Sequence, residues 1–84
     1  MKYNEEEIIK DFTAYVKNTY DEHYSEGNIQ TLDFIEACGD VLPFCRANIL
    51  KYASRYDKKG SAKKDIFKII HYAMFLLHFT EKYK

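Results

Sequence analysis

Asn48-Ile-Leu-Lys51-Tyr52-Ala-Ser-Arg55-Tyr56-Asp57-Lys58-Lys59-Gly60-Ser61-Ala-Lys63-Lys64-Asp65 reads as the end of one helix, a basic turn and the start of another. Gly60 suits a helix C-cap and Ser61 an N-cap. A turn this short folds its two helices back as an antiparallel hairpin, with one helix from about Pro43 to Asp57 and the next from about Ala62 to Lys82. In the first arm Asn48, Lys51, Tyr52 and Arg55 are spaced i, i+3, i+4, i+7 and share one face. Ile49, Ala53 and Tyr56, preceded by Cys45 or Arg46, form a second stripe, expected to be the buried one. In the other arm Ile66, Ile69, Ile70, Ala73, Leu76, Leu77 and Thr80 are expected inside. Asp65, Lys68 and Tyr72 lie on another face that begins beside the turn. The two polar stripes are expected to meet there.

Upstream, Asn4 with Glu7 makes a capping-box pattern, and Glu5, Glu6 and Glu7 favour the positive end of a helix dipole. Ile8, Ile9, Phe12, Val16 and Tyr20 recur at helical spacing, so a first helix is expected from about Glu5 to Tyr20. Asp21 to Asn28 lacks periodicity and ends in a Gly-Asn turn signal, so it reads as a loop. Thr31 can cap a short helix that turns Leu32, Ile35 and Cys38 inward and stops near Gly39. Asp33 and Glu36 on that helix read as a solvated acidic face. Pro43 then sits in a helix's first turn, where its missing N–H costs nothing.

Eighty-four residues allow one small domain, expected to span 1–84. A chain of this size buries only about 60–65% of the surface it exposes unfolded, so its thin core favours self-association. Three Gly and one Pro leave little punctuation for short strands, so the expectation is all-α: a small helical domain whose hairpin packs on the N-terminal helix, in an oligomer. Cys38 and Cys45, with no signal-like N-terminus, read as reduced and partly buried thiols in a cytosolic protein. The longest apolar candidate, Ile66 to Phe79, is broken by Lys68, His71 and His78, which rules it out as a membrane span.

The net charge is zero, but residues 1–40 carry ten acidic and three basic side chains, and residues 41–84 carry three and ten. Either the halves dock against each other or part of the basic surface serves a phosphate. Arg55 offers a planar fork for phosphate oxygens, Lys51 and Lys68 offer point charges, and Tyr rings can stack on a base. The competing reading is an internal network in which Asp57 and Asp65 neutralise Arg55 and Lys68. His71 and His78 stand about 10 Å apart along a helix, too far to share one ion, and no Cys or His pair has finger spacing, so no metal site is expected. Neither Cys has a visible activating partner. The compact cluster and zero net charge argue for a small ligand over nucleic acid.

These residues also carry a resemblance. Asp33-Phe-Ile-Glu36, Asn48-Ile-Leu-Lys51-Tyr52 with Arg55 and Lys58-Lys59-Gly60, and Asp65, Lys68 and Tyr72 resemble a small domain of undefined function common in tailed phages, over about residues 28–79. That family includes a T7-like phage nucleotide kinase lacking a P-loop. The resemblance implies a phage origin and a role in nucleotide metabolism. It carries Asn48, Lys51, Tyr52, Arg55, Lys59, Asp65, Lys68 and Tyr72 into a ligand site. Ala47 stands where the family usually has Gly, and Ile69 and His71 replace its usual Ala and Trp-like residues.

Phosphoryl transfer needs two substrates in line and a metal held by carboxylates, and here there is no G-x-x-x-x-G-K-[ST] loop. Binding therefore ranks above turnover. The expectation is an oligomeric, cytoplasmic protein, in the host cell if phage-encoded, that sequesters a nucleotide or a nucleotide-derived, host-defence signal and needs no cofactor. A deoxynucleoside monophosphate kinase, with Mg²⁺ held by Asp65, stands second. A host-protein inhibitor that grips through Met74 to Phe79 stands third.

Overall fold

The computed structural model describes residues 2–23 and 30–84. These form four helices and no strand: α1 (Glu5–His23), α2 (Thr31–Ala37), α3 (Val41–Arg55) and α4 (Ala62–Lys82). The chain divides into two compact units, Met1–Gln30 and Thr31–Lys84.

The first unit is α1. Its opening turn carries Glu5, Glu6 and Glu7, as the dipole favours. The carboxylate that reaches back is that of Glu5, which accepts from the Tyr3 N–H, and not that of Glu7. Asn4 enters the helix at φ 63°, a left-handed conformation that Asn tolerates. The helix runs past Tyr20 to His23 and so takes in the first residues of the expected loop, because no Gly or Pro interrupts it there. The rest of that loop, 24–28, lies outside the described residues. Thr13 and Thr19 donate their hydroxyls to the carbonyls of Ile9 and Tyr15, the back-bonding that lets a polar β-branched residue sit inside a helix.

The second unit begins with α2, which ends in a Schellman motif. Gly39 N–H donates to Glu36 O at 3.0 Å and Asp40 N–H to Ile35 O at 3.1 Å, with Gly39 at φ 83°. Leu32 and Ile35 face the core as expected. Cys38 does not: it falls in the turn after Ala37, where helical spacing no longer applies, and it is exposed. α3 starts two residues before Pro43, which still lies in the first turn. Val41, Cys45 and Phe79 form the core, ringed by Leu32, Ile35, Leu42, Phe44, Tyr72, Phe75 and Leu76. Burying a large apolar side chain contributes about 1.5–3 kcal/mol, so this small group carries much of the unit's stability.

The start of α3 meets the end of α4 at Val41, Cys45 and Phe79, and the end of α3 meets the start of α4 at Arg55 and Asp65. The hairpin is therefore antiparallel. α3 stops at Arg55, short of Asp57, with Lys58 N–H donating to Arg55 O at 2.9 Å. Gly60 reverses the chain at φ 74°, a conformation that a side chain would strain. Ser61 stands at the N-cap of α4, yet its hydroxyl makes no cap hydrogen bond.

One expectation is inverted. The stripe of Asn48, Tyr52 and Arg55 faces α4, with Tyr52 buried, whereas Ala53 and Tyr56 are exposed and Ile49 is only half-buried. On α4, Asp65 is buried while Ile66, Ala73, Leu77 and Thr80 are exposed. The seam is filled by long and aromatic side chains whose apolar stems and rings span the gap between helices, which Ala53 cannot do. Among the described residues no helix is long and apolar enough to cross a membrane.

Candidate functional site

At the turn end of the hairpin the side chains gather on the Tyr52 ring. The guanidinium of Arg55 lies 4.6 Å from its centroid, Lys51 Nζ 5.2 Å and Lys68 Nζ 5.7 Å. Each distance is within cation–π range. Tyr72 stacks on the same ring at 6.1 Å and 14°. It also meets Phe44 and Phe75 edge-on at 5.8 Å and 6.0 Å. This aromatic chain joins the cationic end to the apolar core.

Arg55 Nη2 donates to Asp65 Oδ1 at 3.3 Å. Asp65 is only 3% exposed and sits in the first turn of α4, where a carboxylate complements the helix dipole. Two atoms of this pair, Arg55 Nε and Asp65 Oδ2, are buried without a hydrogen-bond partner. Asp57 pairs with Lys58 at 3.6 Å. Of the internal network expected from the sequence, then, the Arg55–Asp65 half is made. Lys51 and Lys68 have no carboxylate partner among the described residues. From Lys51 to Lys68 the chain holds seven cationic side chains against two carboxylates, and both carboxylates are engaged. An anion is what this field attracts.

The hairpin thus brings together Lys51, Tyr52, Arg55, Asp65, Lys68 and Tyr72. Asn48 shares their face, but its side-chain amide donates to Phe44 O at 2.9 Å along its own helix. Lys59 is exposed in the turn and takes no part in these contacts. Sequence reasoning missed Phe44, four residues before Asn48 on the same stripe, and weighed His71 only against a metal site. The imidazole of His71 is buried and stacks on Phe75 at 4.4 Å. Burial, and then the nearby charge of Lys68, push its pKa below the ordinary 6.5.

A second cluster lies at the open end. Glu36, expected to be a solvated carboxylate, accepts from Lys82 Nζ and, at 2.5 Å, from the Tyr83 hydroxyl. These bonds hold its pKa below the ordinary carboxylate value. Beside it is a cavity of about 270 Å³ lined by Glu36, Ala37, Gly39, Val41, Leu42, Pro43 and Tyr83. Among the described residues no three His, Cys, Asp or Glu side chains gather as they would to hold a metal ion.

A family model described as a protein of unknown function, DUF3310, matches residues 16–74. The match reaches back into α1 and ends within α4, and it contains every residue of the cationic cluster. No curated protein and no solved structure matches the chain.

Proposed function

The chain belongs to the DUF3310 family, and from that premise we propose that it is a phage protein that binds a nucleotide or nucleotide-derived signal at the turn end of its hairpin and holds it without turnover. One observation carries the reading: three cations converge on the Tyr52 ring, and two of them, Lys51 and Lys68, have no carboxylate partner among the described residues. Lys51 is exposed and Lys68 half-buried, so solvent-borne phosphate reaches them without unfolding the seam. Sequestration of a host-defence messenger in the host cytoplasm is the role that such a small binder fills. Ile66, Met74 and Leu77 are exposed on α4 and support self-association as part of the same reading.

A nucleotide kinase is the second reading, favoured by the unpartnered Oδ2 of Asp65 beside the cations. The donor set does not fit a magnesium ion, because among the described residues Asp65 is the one carboxylate in contact with the cluster and it is almost fully buried. Binding without turnover therefore stays first.

Native mass spectrometry of the purified protein, followed by calorimetry with mono-, di- and triphosphate and cyclic nucleotides, tests the proposal. The expected result is an oligomer and micromolar binding that Lys51→Ala weakens. Absence of binding by any nucleotide rejects it. Incubation with ATP, Mg²⁺ and deoxynucleoside monophosphates separates the second reading, which requires ADP in excess of the protein.

A further inference from the structure

We infer that the hairpin site reads the phosphate chain of its ligand and is indifferent to the base, an inference that rests on the nucleotide reading above. Base recognition needs an open aromatic face or exposed polar groups that match a base edge. The cluster has spent its aromatic faces on itself, and most of its polar groups as well. The Tyr52 ring is 9% exposed and stacked on Tyr72, and Tyr72 is held edge-on by Phe44 and Phe75. One of the two amide N–H groups of Asn48 is given to Phe44 O, and the carboxylate of Asp65 is buried behind Arg55.

What the cluster leaves accessible is positive charge. Lys51 is exposed, Lys68 and Arg55 are half-buried, and all three are drawn to one ring. Arg55 commits one Nη to Asp65, and because its side chain is 32% exposed the N–H groups turned away from that carboxylate remain open to an oxyanion. Two lysines without carboxylate partners and one half-committed arginine exceed what a single phosphate neutralises. The complement is a chain of two or three phosphates, as in a nucleoside di- or triphosphate. The base of such a ligand projects past the turn into solvent.

Calorimetry with ATP, GTP, inorganic tripolyphosphate and adenosine, on the full chain at low salt, tests this. ATP and GTP are expected to bind within about threefold of each other and tripolyphosphate within about tenfold of ATP, a difference of about 1.4 kcal/mol or less, while adenosine shows no heat. Lys51→Ala, at an exposed position that leaves the seam intact, is expected to weaken ATP and tripolyphosphate by the same factor. If ATP binds but tripolyphosphate does not, or if ATP and GTP differ by about a hundredfold, the site reads the base and the inference falls while nucleotide binding stands. If neither nucleotides nor tripolyphosphate bind, both fall together.

Discussion

Arg55 at the last turn of α3 holds Asp65 at the first turn of α4 through one 3.3 Å contact, and the two ends of that contact are unequally buried, with the Arg55 side chain 32% exposed and that of Asp65 4%. Water can solvate the guanidinium if the carboxylate is removed. Removal of the guanidinium instead leaves the carboxylate without the donor that Arg55 supplies, in a site that water reaches only through the space the arginine vacates. Arg55→Ala is therefore expected to destabilise the fold by about 2–4 kcal/mol, the cost of a stranded buried charge reduced for partial exposure. Asp65→Ala is expected to cost about 1–2 kcal/mol, from the lost bond and the lost dipole partner. The double variant should resemble Asp65→Ala. Urea unfolding of the three variants measures this, and an Arg55→Ala effect no larger than that of Asp65→Ala contradicts it.

The two thiols should separate kinetically. Cys45 is 0% exposed in the core beside Val41 and Phe79, and burial pushes its pKa above the ordinary 9.0. Cys38 is exposed in the α2–α3 turn. A chromogenic disulfide reagent is expected to take one thiol at once and the second only as fast as the protein unfolds. Cys38→Ser should abolish the fast phase. Two fast thiols in the native protein would mean that Cys45 is not in the core.

Helix positions were legible in the sequence because their punctuation is local. Gly39 and Gly60 adopt the positive φ that a stop and a reversal require, and the α4 boundaries agree with those expected from Ser61 and the apolar run. That the polar stripes of α3 and α4 meet near the turn was legible in their spacing. That this meeting face is also the buried one was not, because periodicity shows which residues share a face and not how deeply that face is buried. The assumption that Ile49 and Ala53 point inward failed because two tyrosines fill the seam better than small side chains do. The Glu36–Tyr83 contact joins residues 47 apart, and no spacing rule reports it.

His71 should report on ligand binding. Burial first, and then the charge of Lys68, hold its folded pKa below 6.5, so its contribution to stability is fully present above 6.5 and is lost as the pH falls below that value. His71→Phe is expected to flatten the acid limb of the stability profile. A phosphate seated on Lys68 cancels part of the charge that disfavours the imidazolium, so saturating tripolyphosphate should raise the His71 pKa. Lys68→Gln should raise it without ligand. Proton NMR titration of the His71 ring reads both, and an unchanged His71 pKa in Lys68→Gln argues that the lysine does not act on it.

The same linkage works at the other end of the unit with a wider window. Hydrogen bonding to Lys82 and then to Tyr83 lowers the Glu36 pKa from 4.5, and bonding to Glu36 raises the pKa of Lys82 from 10.5 and of Tyr83 from 10.0. A depressed carboxylate contributes stability above its unfolded pKa and loses it as the pH falls through the folded value. The raised tyrosine and lysine contribute below their unfolded values and lose it as the pH rises through the folded ones. The stability that the Glu36–Lys82–Tyr83 contact contributes is thus full from about pH 4.5 to about pH 10 and declines outside that window at both limits. Glu36→Gln keeps an oxygen for the Tyr83 hydroxyl but removes the charge, so it should lower the thermal midpoint at neutral pH and lower it less and less as the pH falls below 4.5. Thermal unfolding of the wild type and Glu36→Gln across pH checks this. A midpoint difference of the same size at pH 3 and pH 7 would show that the carboxylate charge is not what ties α2 to the end of α4.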